Sequence, residues 1–307
     1  MSHKKQSLQL REGRDAMQIR PIAITQNVFE YAPGSLLFEA GKTKILCAVS
    51  MQHQVPPFLK GKKDGWLTCE YAMLPMATHT RTQRESNATQ KNGRSVEISR
   101  FLGRVLRTVV DTSVFPDRTI IVDCDVLQAD GSTRVSCVTA ASIALLYAQN
   151  YWLSEGIINK NILKEPLYGI SVGIVRNMLL LDLDYREDSE AQSDFNIVLT
   201  ESGKLVEILG GSEKEPISLE SFSEIQNAAI IGVDLLKKEI QNLVLQTSGL
   251  QTSVSQTPGL QVLPSNNNNA THNNASHVST SEQLECQKTK KVPLFSIQNR
   301  LFNNNMP

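Results

Sequence analysis

Between Ser95 and Val110, the apolar residues Ile98, Phe101, Leu102, Val105, Leu106 and Val109 fall at helical spacing and make one apolar face. Arg100, Arg104 and Arg107 occupy another face of the same predicted helix. The pattern changes elsewhere. Ser35–Ser50 reads as a hairpin, with Leu36-Leu37-Phe38 and Ile45–Val49 flanking a turn at Ala40-Gly41-Lys42. Thr119–Leu127 is β-branched and partly alternating, hence a strand. Ser136–Tyr151 is rich in Ala, Leu and Ile without Gly or Pro, which predicts a mostly buried helix. Further strands are expected at Tyr168–Val175, Met178–Tyr185, Phe195–Thr200 and Leu205–Leu209, and a helix at Leu219–Gln241. Strands interleaved with long helices predict an α+β fold with helices packed on a sheet.

The pattern stops near residue 246. From Ile240 to Ser281 there is no Lys, Arg, Asp or Glu, and Gln, Ser, Thr and Asn dominate beyond the division. Such a segment buries too little apolar surface to offset the entropy of ordering. The organisation expected is therefore a flexible N-terminus over 1–16, a folded domain over 17–245 and a disordered tail over 246–307. Within the tail, Lys288, Lys290 and Lys291 precede Val292–Ile297, which is either a short docking motif or solvated chain.

Charge and cysteine usage narrow the classes. The 31 Lys and Arg balance 31 Asp and Glu, which argues against coating nucleic acid through bulk charge but leaves a local basic track open. No apolar run approaches the roughly 20 residues that span a bilayer, so no membrane association is expected. The polar start Met1–Gln6 lacks an apolar segment after it, so no secretory signal is expected. Five cysteines at irregular spacing form neither a CxxC pattern nor a disulfide framework, and a cytoplasmic location is expected.

Candidate chemistry lies at three places. Asp130-Gly131-Ser132-Thr133-Arg134 joins a strand to a helix, a geometry that aims free amides and the positive helix end at one spot. Thr133 adds a hydroxyl and Arg134 a planar fork suited to phosphate oxygens. Many such junctions bind nothing. Asn92-Gly93-Arg94-Ser95 precedes the strong helix, so Arg94 and Arg134 could clamp one phosphate if the fold unites them. The carboxylates Asp182, Asp184, Glu187, Asp188, Glu190 and Asp194 form the second group. Asp182 and Asp184 alternate with leucines and read as the wet face of a strand. Asp188 and Asp194, from adjacent segments, suit Mg²⁺ when substrate phosphates complete its shell, although a solvated acidic hairpin fits as well. The third place is the polar stretch His79–Asn87 with Lys91, a loop whose Arg81 and Arg84 suit an RNA backbone. Lys60, Lys62 and Lys63 beside Phe58 and Trp66 make a second basic patch. No GxxxxGK[ST] phosphate loop occurs, which disfavours a nucleotide hydrolase.

Taken together, these residues resemble the bacterial ribonuclease PH family, which shares its fold with polynucleotide phosphorylase and exosome cores. The matching segments include Ile19-Arg20-Pro21, Val55–Gly61, Gly65-Trp66, Glu70-Tyr71, Thr78–Arg81, Gly93–Ile98, Asp123–Gly131, Thr133-Arg134, Val172–Val175 and Glu187-Asp188-Ser189. The similarity runs from about residue 17 to about residue 240 in fixed order. It implies a ribonuclease PH-like catalytic domain of βαβα units with mixed sheets, assembled as a homo-hexamer, a trimer of dimers. It implies trimming of tRNA precursors and other RNA 3′ ends, with inorganic phosphate as co-substrate and release of nucleoside 5′-diphosphates. Carried over residue by residue, Arg94, Ser132, Thr133 and Arg134 hold phosphate, Asp188 and Asp194 are the catalytic, Mg²⁺-associated acids, and Arg81 and Arg84 contact RNA.

The chain departs from the family pattern in places. Ser132 stands where the family has Gly, Val135-Ser136-Cys137 replaces Thr-Ala-Ser, and Met76 replaces a basic residue of the RNA loop. Gly211-Ser212-Glu213-Lys214 replaces Thr-Ala-Glu-Gly. The main alternative is a catalytically silent RNA-binding ring scaffold of the same fold, which loss of an arginine or acid named above would signal. None is lost.

Overall fold

Two sheets and four helices build the protein in the computed structural model, which describes residues 11, 13–84 and 92–247. The first sheet has the order β1-β2-β3-β5-β4, formed by Ile22–Gln26 (β1), Gly34–Ala40 (β2), Thr43–Gln52 (β3), Trp66–Met73 (β4) and Thr119–Gln128 (β5). Only the β4–β5 pairing in it is parallel. The second sheet, β7-β6-β8-β9, uses Leu167–Val175 (β6), Met178–Leu181 (β7), Ser193–Thr200 (β8) and Leu205–Ser212 (β9). It is antiparallel throughout.

The helices are α1 (Gly93–Val109), α2 (Thr133–Ser154), α3 (Tyr185–Glu190) and α4 (Leu219–Thr247). All six apolar residues predicted to face inward from α1 are buried. α2 has no polar face, because it packs against strands of both sheets. Its small and hydroxylated residues make that possible. A Cβ on Gly169 of β6 would come within 2.7 Å of the Val135 carbonyl, and Gly34 of β2 lies as tightly on Ala144. Buried polar groups on α2 are satisfied by the chain passing over it. Thr139 Oγ1 accepts from the Gly169 amide at 3.0 Å and Ser142 Oγ from the Leu167 amide at 2.8 Å. Ile170, on the other face of β6, meets Gly232 of α4, which explains why β6 is apolar almost without interruption.

Two expectations are corrected here. The strand predicted over Met178–Tyr185 ends at Leu181, where Asp182 takes a left-handed conformation (φ 55°) and the chain enters α3. Asp182 is buried rather than on a wet face, and Asp184 caps α3 by accepting from the Glu187 amide at 2.9 Å. Arg11 and residues 13–16, assigned to a flexible N-terminus, are pinned instead: the Ala16 carbonyl accepts from the Leu181 amide at 2.9 Å, and Arg11 pairs with Glu187. The predicted disordered tail lies outside the described residues, apart from Gln246 and Thr247, the last residues of α4. The four cysteines within the described residues are buried free thiols.

Candidate active site

The anion turn is held from beneath. Asp130 and Gly131 follow β5, and Gly131 (φ 77°) presses on the segment Leu183–Tyr185 so closely that an added Cβ would lie 2.5–2.7 Å from its backbone. Thr43 Oγ1, at the hairpin turn, donates to the Gly131 carbonyl at 2.9 Å and accepts from the Asp130 amide at 3.0 Å. Arg20 Nη1 donates to the Asp130 carbonyl at 2.6 Å. Its other nitrogens grip Asp182, with Nη2 to Oδ1 at 2.7 Å and Nε to Oδ2 at 3.0 Å. Burial pushes the Asp182 carboxyl up, but Arg20 outweighs it and holds the group below the usual carboxylate range. One buried ion pair thus ties β1's entry, the anion turn and the start of α3 together.

Ser132 is the N-cap of α2, in a left-handed conformation (φ 55°, ψ 24°), and no side chain caps the first turn. Its hydroxyl is bonded to Ser171 Oγ at 2.6 Å and donates to the Leu183 carbonyl at 2.7 Å. The Ser132 hydroxyl is therefore turned away from the helix axis, and what this position offers an anion is backbone. A left-handed backbone accepts glycine without strain. Ser132→Gly should leave the KM for phosphate within about twofold of the parent, because the hydroxyl belongs to the scaffold. Initial rates across a phosphate series check this; a larger change would return the hydroxyl to the anion site.

Arg94 enters from α1. The N-cap is Asn92, whose side chain accepts from the Arg94 amide at 3.0 Å, while Ser95, expected as a cap, is buried inside the helix. With its amide satisfied, Arg94 contributes its exposed guanidinium. One turn on, Glu97 receives Arg134 Nη1 at 2.6 Å, so the first turns of α1 and α2 are in contact. The buried Tyr71 hydroxyl lies against Thr133 without a well-formed hydrogen bond. Burial and Cys137 push its pKa up, while Thr133, Arg94 and Arg134 pull it down, which places both arginines around the same point.

The acids come from the second sheet. Asp194 of β8 lies opposite Gly173 of β6 and Gly211 of β9, so no neighbouring side chain covers its carboxylate. Phe195 and Ile197 are buried while Asp194 and Asn196 are half-buried, as the alternation predicts. Asp188 stands on α3. Although the residue reaches the surface, its carboxyl is hemmed in: burial, then Asp194 and Glu213, raise its pKa to about 6 against the pull of Arg94 and Arg20. Burial and Glu213 also raise Asp194, against Arg134. Each acid thus feels one of the two helix-start arginines, Asp188 feeling Arg94 and Asp194 feeling Arg134.

That donor set suits a hard divalent cation. Two or three carboxylates crowded until their protons are held too tightly are relieved by a cation with oxygen preference. No group of three or more His, Cys, Asp or Glu among the described residues converges as a metal cage. Asp188 and Asp194 supply carboxylate oxygens, the donor type that Mg²⁺ takes, and would be the residues to hold such an ion.

Arg81 and Arg84 are exposed on an irregular segment. The His79 ring lies 5.3 Å from that of Tyr185, the first residue of α3, and the Ala77 carbonyl accepts from the Ala129 amide at 2.8 Å. This basic segment therefore borders both the acid helix and the anion turn; residues 85–91 of the predicted loop, including Lys91, lie outside the described residues. Met76 is 65% exposed beside it. Lys60, Lys62 and Lys63 are exposed near the Phe58–Trp66 ring pair, where Arg107 stacks 4.5 Å over Trp66. A groove of about 680 Å³ runs along β4 and α1 between Trp66 and Asp125. Its carboxylates Glu70, Asp123 and Asp125 make it a poor track for a polyanion.

Sequence reasoning assigned no role to Arg11, Arg14, Glu97, Glu187 or Glu213, and Arg20 appeared only within a matching segment. The carboxylate partners of Arg11 and Arg20 lie more than 160 positions away along the chain, so no local pattern marks them.

Known proteins resemble the chain over most of its length. Residues 18–150 match the 3′ exoribonuclease family, domain 1, and residues 165–232 match its domain 2. The chain is 45% identical over 233 residues to ribonuclease PH of Neisseria meningitidis serogroup C, spanning 76% of this chain and 96% of that protein. Ribonuclease PH of serogroup B matches to the same extent. Among solved structures, the Archaeoglobus fulgidus exosome with RNA bound to the active site aligns with a TM-score of 0.63 at 22% identity, over 74% of this chain and 91% of that one. Rice (Oryza sativa) Rrp46 aligns with a TM-score of 0.60 at 20% identity, over 75% and 98%. The chain belongs to the ribonuclease PH family of 3′ exoribonucleases.

Proposed function

We propose that this chain is a phosphate-dependent 3′-to-5′ exoribonuclease that shortens the 3′ ends of tRNA precursors and releases nucleoside 5′-diphosphates. The observation that carries this reading is that the first turns of α1 and α2, which bear Arg94 and Arg134, are in contact, and that Asp188 and Asp194 each lie within electrostatic reach of one of these arginines. Phosphate and phosphodiester repel each other, so attack requires that the nucleophile's charge be offset. Arg94, Arg134 and the uncapped amides of α2 do this and set the line of approach. A phosphate oxygen forms a bond to the terminal phosphorus, the bond from that phosphorus to the preceding 3′ oxygen breaks, and that oxygen takes up a proton, balanced by the one the hydrogen phosphate gives up, so the shortened RNA ends in a new 3′ hydroxyl. Bound Mg²⁺ would offset charge on the scissile group. Asp188 and Asp194 would hold it and face the leaving oxygen, while Arg81 and Arg84 steer the incoming strand. No covalent enzyme intermediate is needed, and the reaction is reversible.

A cytoplasmic location and a homo-hexamer, a trimer of dimers, accompany this reading. No helix among the described residues is long and apolar enough to cross a membrane. The test is incubation of the purified chain with 3′-extended tRNA, Mg²⁺ and phosphate, with light scattering to size the assembly. Nucleoside diphosphates formed only when phosphate is present are expected. Monophosphates would indicate hydrolysis, and intact RNA would indicate the silent scaffold.

Glu97 pairs with Arg134 at 2.6 Å, both groups being partly exposed, and so competes with any anion for this guanidinium. Exposed pairs are worth up to about 1 kcal/mol, so Glu97→Gln should lower the KM for phosphate by up to about fivefold. A raised KM would mean that Glu97 orients Arg134 rather than competing for it.

A further inference from the structure

α3 has six residues, too few for helix propensity to hold it, yet it carries Asp188. Its anchor is Glu187, whose side chain is fully buried. That carboxylate accepts from Arg11 Nε at 2.6 Å and Nη2 at 3.0 Å, from Arg14 Nη2 at 3.2 Å and from the Asp184 amide at 3.0 Å. Arg11 also donates to the carbonyls of Leu181 at 2.5 Å, Asp15 at 2.8 Å and Ala16 at 2.9 Å, and Arg14 Nη1 donates to the Asp182 carbonyl at 3.1 Å. Arg11, Arg14 and α3 are therefore one mechanical piece. As a pure stabilising device this would be a poor choice, since an apolar cluster holds a helix as well without desolvating a carboxylate. An ion-paired fork differs in fixing the helix in rotation. Successive helical residues point about 100° apart, so any roll of α3 that frees Glu187 also swings Asp188 away from Asp194.

We infer that Arg11 and Arg14 are positioning residues, which act through Glu187 to set the place of the Asp188 carboxylate. The inference rests on the reading of Asp188 as a catalytic acid. Its test uses the full chain in two forms, Arg11→Met with Arg14→Met, and the same pair with Glu187→Gln added. The triple variant leaves no buried charge unpaired, and Gln still serves at this position of a capping box.

Both forms should lose on the order of 10- to 100-fold in kcat, the cost of misplacing a reacting group by about 1 Å. The KM for phosphate should stay within about twofold, because the arginine clamp is untouched. Amides of residues 187–191 should exchange faster with deuterium, while those of α1 and α2 keep their protection. The melting temperature lost in the double variant should return in the triple, and kcat should not. Recovery of kcat together with stability would make the two arginines structural only and overturn the inference, as would unchanged exchange in α3. Asp188→Asn serves as the control. If that variant turns over normally, the reading of Asp188 falls and takes the inference with it; if it is inactive while the triple variant is fully active, only the positioning role falls.

Discussion

Asp188→Asn is expected to cut phosphorolytic turnover by at least roughly 10²-fold, the scale of removing one group aimed at transition-state charge, and at the same time to raise the melting temperature at pH 7. The first effect follows from the role proposed for Asp188 beside Asp194. The second follows from its surroundings, because burial, Asp194 and Glu213 together raise this carboxyl to about 6. A carboxyl whose pKa is raised in the native state binds its proton more tightly there than in the unfolded chain. Its ionised form therefore opposes folding. The penalty is absent below the unfolded value of about 4, grows as the pH rises through about 6 and is constant above that.

Because the residue is exposed, solvent screens much of this penalty, and about 1 kcal/mol is a fair share to recover. In a chain of this size that corresponds to roughly 2–4 °C. Asparagine keeps the shape and discards the charge, so the gain should be present at pH 7 and gone near pH ~4. Thermal unfolding at the two pH values, beside a turnover assay, checks both halves. A variant that is inactive and less stable at pH 7 would mean that Asp188 is a structural partner rather than a strained functional acid. Added Mg²⁺ should stabilise the parent and not the variant, since binding to the native state alone raises its stability.

How much of this was legible in sequence depended on the range of the interactions. α1 was legible in full because one face is wet and one dry, and period 3.6 records that difference. The β2–β3 hairpin was legible because its partners are neighbours in the chain: Ala40 pairs with Thr43 across Gly41 and Lys42. α2 was recognised only as buried, since a helix between two sheets has no polar face to set its rotation. β4 was not predicted as a strand, because it pairs in parallel with β5 across a whole intervening helix and has no neighbour in the chain to mark its register. α3 was missed because leucines alternating with aspartates imitate a strand, and only the third dimension shows that Asp182 is consumed by Arg20. The site followed the same rule. Arg94 and Arg134 announced themselves at helix starts and Asp194 by its strand alternation, whereas Glu187, Glu213 and Arg11 carry no local mark. What Ser132 does with its hydroxyl was not legible either, since the groups it bonds, Ser171 Oγ and the Leu183 carbonyl, lie 39 and 51 positions away.

Arg20→Met should destabilise the fold by about 3–5 kcal/mol, the cost of stranding a buried charge. That is a large share of the roughly 5–15 kcal/mol that holds a domain together. Arg20 is 4% exposed and its partner Asp182 5%, so water cannot take over when the guanidinium goes. The loss would also free the Asp130 carbonyl, and with it the anion turn, so phosphate affinity should fall along with stability. pH separates this mechanism from simple loss of packing. In the parent, Asp182 is held below its ordinary value, so its contribution is present above the unfolded pKa of about 4 and lost as the pH falls through the lower native value. In the variant, Arg14, 3.8 Å from Asp182, is the cation left beside the carboxyl and burial weighs more heavily against its charge, so acid removes less of a favourable interaction. The gap between parent and variant, measured by urea unfolding, should therefore narrow on acidification below pH ~4. Adding Asp182→Asn to Arg20→Met should recover part of the loss at pH 7, because asparagine tolerates the left-handed backbone at 182 and leaves no charge stranded. A gap that stays constant with pH, or a double variant as weak as the single one, would mean that Arg20 acts through its packed stem and not through the ion pair.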